Sequence, residues 1–187
     1  MPSDIECYVY IDGQYVRAEL RNAKHPDEFD PRKPAIKLRE ERIHLGVFQS
    51  IVHPSRYFYY DALDEDATKE EKERQERFFK RLSNLPNTHV CLGQVRKSAK
   101  KKEQKGVDVH LAVDALKAAT SRVANVIVLV TGDADFAPLA RSIRDTGAFV
   151  WIIAFKNSLA ESLRREADET FLFDSVPSDW KLDTKDD

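Results

Sequence analysis

Five aspartates in this chain share a kind of position: Asp12, Asp61, Asp108, Asp133 and Asp135 each end an apolar run or open a helical one. Asp12 closes Cys7-Tyr8-Val9-Tyr10-Ile11, and Asp61 closes Arg56-Tyr57-Phe58-Tyr59-Tyr60. Asp133 and Asp135 follow Val126-Ile127-Val128-Leu129-Val130 across the turn residue Gly132. The carboxyl ends of parallel strands line one rim of a sheet, and ligands of open α/β sheets sit there. On that rim Asp12, Asp133 and Asp135 can converge, and Asp108 can join them from the first turn of its helix. Carboxylates gathered within a few ångströms repel unless they are protonated or neutralised by a cation. An all-oxygen set suits hard Mg²⁺ or Mn²⁺, which can orient a water, lower its pKa and stabilise charge building on a phosphate. The plainer reading is that an aspartate after a strand is a turn residue or a helix N-cap. Asp135 before Phe136 fits a cap. Capping alone, however, does not require acids at several strand ends.

The elements that must position these acids are legible as alternating patterns. A short, continuous apolar run bounded by a turn signal reads as a strand buried on both faces, and Val126 to Val130 is the clearest case. Strands are also expected at Cys7 to Ile11, Arg56 to Asp61, Thr88 to Val95, Phe149 to Ala154 and Thr170 to Asp174. Helices are expected from Gly13 to about Arg21, over Ala35 to Leu45, and through the charged stretch 64–81, where Thr68 and Glu71 have capping-box spacing. Further helices follow at Val107 to Ala119, at Phe136 to Thr146 with Pro138 in the first turn, and at Ser158 to Glu166. His25 to Pro34, with its prolines and charges, reads as a surface loop, and the lysine-rich stretch 97–105 as a loop with only Ala99 to anchor it. Strands alternating with helices imply a three-layer α/β domain with a mainly parallel sheet. One domain is expected over residues 1–174, followed by a polar tail at 175–187.

The bulk numbers exclude several classes. Thirty Lys+Arg against 32 Asp+Glu give a net charge of −2, so any nucleic-acid surface must be local. Cys7 and Cys91 lie in separate apolar runs, too few and too far apart for a disulfide framework or a zinc site, and read as small core residues. No apolar run approaches the ~18 residues of a membrane span, and the first residues lack the pattern of a signal peptide. A cytoplasmic protein is expected.

Three blocks, in order, carry a resemblance: Tyr10-Ile11-Asp12-Gly13; Lys105-Gly106-Val107-Asp108-Val109 with Asp114; and Thr131-Gly132-Asp133-Ala134-Asp135-Phe136 with Pro138. Together they resemble the NYN domain family, the LabA-like branch of the PIN-like nucleases, over roughly residues 6 to 174. The resemblance implies a PIN-like, Rossmann-like α/β/α fold and metal-dependent cleavage of RNA by clustered aspartates. Carried over by position, Asp12, Asp108 and Asp133 are the catalytic and metal candidates, with Asp135 a fourth. Asp114 also matches, but six residues along a helix puts it roughly 120° from Asp108, which suits a supporting role. The family commonly has Asn three positions after the first Asp. Here Tyr15 stands there, and Gln14 is the available substitute for the missing amide. Segments 23–55 and 62–87 look particular to this chain.

Beside such a site, Lys100, Lys101, Lys102 and Lys105 can hold phosphates, giving affinity without sequence selection, and Tyr15 can stack a base. The reading is therefore a Mg²⁺- or Mn²⁺-dependent ribonuclease acting on single-stranded or structured RNA, with a second copy or a protein partner left open. The rival is a non-catalytic RNA- or protein-binding module that keeps the fold. Asp133-Ala134-Asp135 is also a D-x-D, as in other metal phosphotransfer or glycosyl-transfer domains. A haloacid-dehalogenase-type phosphatase would carry that pair after the first strand, where only Asp12-Gly13-Gln14 stands.

Overall fold

The β-branched and aromatic runs form the strands of one sheet, and the amphipathic stretches between them form its covering helices. The computed structural model describes residues 5–20, 29–37, 44–45, 48–49, 53–63, 67–93, 96–98, 101–103 and 106–174, with backbone alone at 37, 44–45, 48–49, 53, 96–98 and 101–103. In chain order, the first half holds β1 (Glu6–Asp12), α1 (Gly13–Glu19), α2 (Lys33–Lys37), the short strands β2 (His44–Leu45) and β3 (Phe48–Gln49), β4 (His53–Ala62), α3 (Lys69–Ser83) and β5 (Thr88–Gly93). The second half holds β6 (Arg96–Ser98), β7 (Lys101–Glu103), α4 (Val107–Thr120), β8 (Val126–Val130), a 3-10 turn (Ala134–Phe136), α5 (Ala137–Asp145), β9 (Phe149–Phe155), α6 (Glu161–Arg164) and β10 (Glu169–Phe173).

The main sheet has six strands in the order β10-β9-β8-β1-β4-β5, every pair parallel. The chain builds outward from β1 through β4 to β5, then returns to the other side of β1 and builds outward through β8, β9 and β10. That reversal places the topological switch point between β1 and β8, where α/β sheets form their ligand crevice. Both sheet faces are covered, as a parallel sheet requires. On β1 and β8, Val9, Ile11, Val126, Val128 and Val130 point into one core, with Val16, Phe78, Phe79 and Leu82 from the helices. Their neighbours Tyr10, Ile127 and Leu129 point into the other, against Leu111, Ala115, Ala140 and Ile143. This is the three-layer α/β/α arrangement of the PIN-like fold.

Several elements differ from the sequence expectations. Ala35 to Leu45 is not one helix. The short α2 ends at Lys37, and His44–Leu45 pairs antiparallel with Phe48–Gln49; Ile43 and Leu45, two apart, fit strand alternation as well as they fit a helix. Within the expected surface loop 25–34, Phe29 and Asp30 are buried, and Asp30 takes both the backbone N–H and the guanidinium of Arg32. Part of the lysine-rich stretch is a hairpin, Arg96–Ser98 against Lys101–Glu103; ladder hydrogen bonds hold such a pair without an apolar anchor. The helix expected over Ser158 to Glu166 is confined to Glu161–Arg164. The Thr68–Glu71 capping box is present in full.

Candidate metal centre

Asp12 is the last residue of β1 and the N-cap of α1, and it is buried. Its Oδ1 accepts the Tyr15 backbone N–H at 3.0 Å, and its Oδ2 accepts the Thr131 hydroxyl at 3.0 Å. Burial pushes this carboxyl up to about 6 against those two hydrogen bonds, and the charges of Asp108 and Asp61 push the same way. The charge is accommodated, but among the described residues no cation neutralises it. Across the switch point, Thr131 extends β8 and uses its hydroxyl twice, toward Asp12 and as acceptor for the Asp133 N–H at 3.2 Å. Asp133 in turn caps the 3-10 turn, its Oδ1 accepting the Asp135 N–H at 2.9 Å. Both acids face solvent.

Asp108 arrives from the other side of the sequence. Gly106, at φ 105°, takes the left-handed backbone that a side chain would strain, and it starts α4 so that Asp108 falls in the exposed first turn. Partial burial raises the Asp108 carboxyl, and the charges of Asp133 and Asp135 raise it further. Asp12, Asp108, Asp133 and Asp135 thus surround one electronegative mouth. Gly132 lets the turn close against a neighbour, since a Cβ there would run into the Ser158 carbonyl, and the Gly132 carbonyl accepts the Ala160 N–H at 2.9 Å.

The expected aspartates are brought together, but not as a closed cage. Among the described residues, no group of three His, Cys, Asp or Glu side chains is arranged to hold a metal ion unaided. Both Asp12 oxygens are already engaged by internal donors, which keeps that carboxylate set back in the crevice. The donor chemistry nevertheless fits a hard divalent ion. Every side-chain donor is a carboxylate oxygen, Asp12 and Asp108 repel with no cation offsetting them among the described residues, and Mg²⁺ typically keeps several waters and takes only one or two carboxylates.

The other expected site residues fall elsewhere. Asp114, about one and two-thirds turns beyond Asp108, accepts the Tyr60 hydroxyl at 2.8 Å through its side chain and the Tyr10 hydroxyl at 3.3 Å through its carbonyl. Gln14 is exposed at the start of α1. Tyr15 is half-buried; its hydroxyl pairs with Ser158 Oγ at 2.7 Å and accepts the Phe155 N–H at 2.9 Å. Asp12 is held through the Tyr15 backbone, so the substitution of Tyr for Asn leaves its orientation intact. Lys101 and Lys102 lie on β7, while Lys100 and Lys105 fall outside the described residues.

Sequence reasoning missed Thr131 as a positioning residue, although a hydroxyl between a strand and an acidic turn was a signal for it. It also missed the partner of Asp61. That carboxylate is fully buried and takes the Arg17 guanidinium at 2.5 Å, the Tyr59 hydroxyl at 2.9 Å and the Ala62 N–H at 2.7 Å.

A parallel α/β/α sheet with acids at its switch point places the chain in a class of domains that hosts several metal-dependent chemistries. The NYN domain family matches residues 6–176, and the chain belongs to that family, one of PIN-like nucleases. A crystal structure of a protein of unknown function from Vibrio parahaemolyticus is similar in fold, with a TM-score of 0.66 at 17% identity, covering 97% of this chain and 99% of that one. No curated protein matches the chain.

Proposed function

We propose that this domain is a divalent-metal-dependent ribonuclease of the LabA-like branch, hydrolysing phosphodiester bonds of single-stranded or structured RNA. One observation supports the reading: Asp12, Asp108 and the Asp133–Asp135 pair, from three separate segments of the chain, repel one another near the switch point, and among the described residues no cation offsets them. These four would hold Mg²⁺ or Mn²⁺, which supplies Lewis acidity and an activated water for attack on phosphorus. Thr131 fixes the Asp12 carboxylate and the Asp133 backbone together, so the two sides of the crevice keep their spacing. Asp108, raised by partial burial and then by Asp133 and Asp135, joins the set from the first turn of α4. The Tyr15–Ser158 tie closes the side of the site next to β9. No Ser-His or Cys-His pair is required, because water is the nucleophile.

The lysines at 100–102 and 105 precede Asp108 directly in sequence and would hold RNA phosphates. Segments 23–55 and 62–87 of the single 1–174 domain would shape substrate choice. Among the described residues no helix is long and apolar enough to cross a membrane, and a cytoplasmic site of action is part of the proposal. The test is end-labelled RNA incubated with Mn²⁺, with Mg²⁺ and with chelator, beside Asp133→Asn. Metal-dependent cleavage that falls about a hundredfold or more in the variant is expected. Intact RNA retained by folded wild-type protein would make this a binding module instead.

A further inference from the structure

The opposite edge of the same sheet carries a feature the acidic site does not use. Tyr10 of β1 is in register with Phe58 of β4, and Phe58 with His89 of β5, so the three rings share one rung of the ladder. They are stacked: Tyr10 and Phe58 at 4.9 Å and 10°, Phe58 and His89 at 5.1 Å and 19°. Burial falls along the rung from Tyr10, at 2% exposure, through half-buried Phe58 to exposed His89. β5 is the last strand of the sheet, so the column ends on an imidazole with no further strand beyond it. His89 also lines a cavity of about 650 Å³ with Tyr8, Arg56, Ser55, Asn87 and Glu6. In that cavity the Arg56 guanidinium lies over the Tyr8 ring at 5.7 Å, and the Ser55 hydroxyl donates to Glu6 at 2.6 Å.

We infer that this cavity is a nucleobase-stacking site, which takes an unpaired base of single-stranded RNA as the next ring of the Tyr10–Phe58–His89 column. The chemistry selects a base rather than a bare phosphate. Aromatic and guanidinium planes offer π-faces that any base can stack on, the Asn87 amide can meet a base edge, and the Glu6 carboxylate, held by the Ser55 hydroxyl, repels an anion. Arg56, exposed at the rim, is left for the adjoining phosphate. The volume lies within the range of small-ligand pockets. The cavity lies at the amino ends of β1, β4 and β5: its β1 residues Tyr8 and Glu6 are about 13 to 20 Å along the strand from Asp12 at a rise of about 3.3 Å per residue, and His89, level with Tyr10, lies two strands across from β1. It would therefore anchor an RNA strand some nucleotides away from the acidic mouth, and it rests on the RNA reading above.

The test uses Asp133→Asn protein, so that RNA stays intact, titrated with oligoadenylate of about eight nucleotides and with a matched abasic ribose-phosphate chain. The readouts are the His89 ring resonances and fluorescence anisotropy. Expected are a saturable upfield shift of His89 with oligoadenylate but not with the abasic chain, binding weakened about fivefold or more by His89→Ala, and recovery in His89→Trp. His89 resonances that stay fixed at saturating RNA, or move only with adenosine monophosphate, would overturn the inference, as would His89→Ala binding as tightly as the parent. The two readings fail separately. A base stacked on His89 in an RNA that wild-type protein never cuts sinks the ribonuclease alone, whereas RNA that is cut while His89 stays fixed sinks the anchor alone.

Discussion

Neighbouring strands β1 and β4 each carry a buried aspartate at or next to the carboxyl end, and the protein treats the two differently. Asp61, one residue before the end of β4, is met by a guanidinium, a phenol and a backbone N–H, all between 2.5 and 2.9 Å. Asp12, at the end of β1, is met by a backbone N–H and a hydroxyl, each at 3.0 Å, and is repelled by Asp108. Burial raises both carboxyls, but among the described residues a cation, Arg17, pulls back on Asp61 alone of the two. A buried charge must be paired or it shifts toward neutrality. Asp61 has its partner within the chain, so its role is complete on folding. Among the described residues Asp12 has no such cation, and it sits at the crevice of the switch point. Position at a strand end therefore does not separate the two acids; the presence or absence of a neighbouring cation does.

The comparison breaks most visibly through Asp61. Replacing it by Ala leaves the Arg17 guanidinium uncompensated over a buried site, and losing one partner of such a pair costs about 3–5 kcal/mol. Urea denaturation should show a midpoint shift of that size, largely recovered in the double variant Arg17→Met, Asp61→Leu, which removes both charges. A cost under about 1 kcal/mol, in the range of a surface pair, would return Asp61 to the company of Asp12.

Asp12 sharpens the comparison through pH. Its folded carboxyl titrates at about 6 against an ordinary value of 3.8, so between these values the native state binds more protons than the unfolded state. Its contribution to stability is therefore full below pH 3.8, and it is lost as pH rises through 6. At 1.36 kcal/mol per unit, the loss is on the order of 2–3 kcal/mol. Unfolding free energies of wild type and Asp12→Asn at pH 4.5 and pH 7 should diverge with the wild type losing more. Adding Mg²⁺ or Mn²⁺ at pH 7 should restore stability to the wild type and not to the variant, since an ion that binds only the native state stabilises it. Parallel pH profiles would mean that Asp12 is as well compensated as Asp61.

How much of this was legible follows from the range of the interactions. The strand runs, the α3 capping box and the acids on one rim depend on neighbours in sequence or on the rule that parallel strands end together, and they were readable. The fate of Asp61 was not, because Arg17 lies 44 residues earlier and is one of thirty basic residues. Only the packing of α1 on β4 selects it. The stretch around 29–49 misled for a related reason: its apolar residues suit two periods, and long-range burial of Phe29 and Asp30 decides what the local pattern leaves open. The aromatic rung is invisible without register, since Tyr10, Phe58 and His89 have no relation in sequence until the strands are aligned.

The smallest expected effect lies at Tyr15, where the chain departs from the common Asn of its family. Tyr15→Phe keeps the ring against Phe155 and the backbone N–H on Asp12, and removes only the hydroxyl that binds Ser158 and the Phe155 N–H. A lost hydrogen bond of this kind costs about 1 kcal/mol, measurable as a modest shift in denaturation midpoint. Its consequence for the site discriminates further. The hydroxyl ties the segment after β9 to the helix that Asp12 caps, and Gly132 is wedged against that same segment. If the tie only stabilises the fold, metal-dependent cleavage per folded molecule is unchanged in Tyr15→Phe. If it holds the Asp12 and Asp133 sides of the crevice at their working separation, cleavage falls several-fold while the Asp12-dependent pH slope stays as in wild type, because the Asp12 environment keeps its backbone and Thr131 donors. The second outcome is expected, since the hydroxyl's two partners lie at the end of β9 and just beyond it, and not on Asp12 itself.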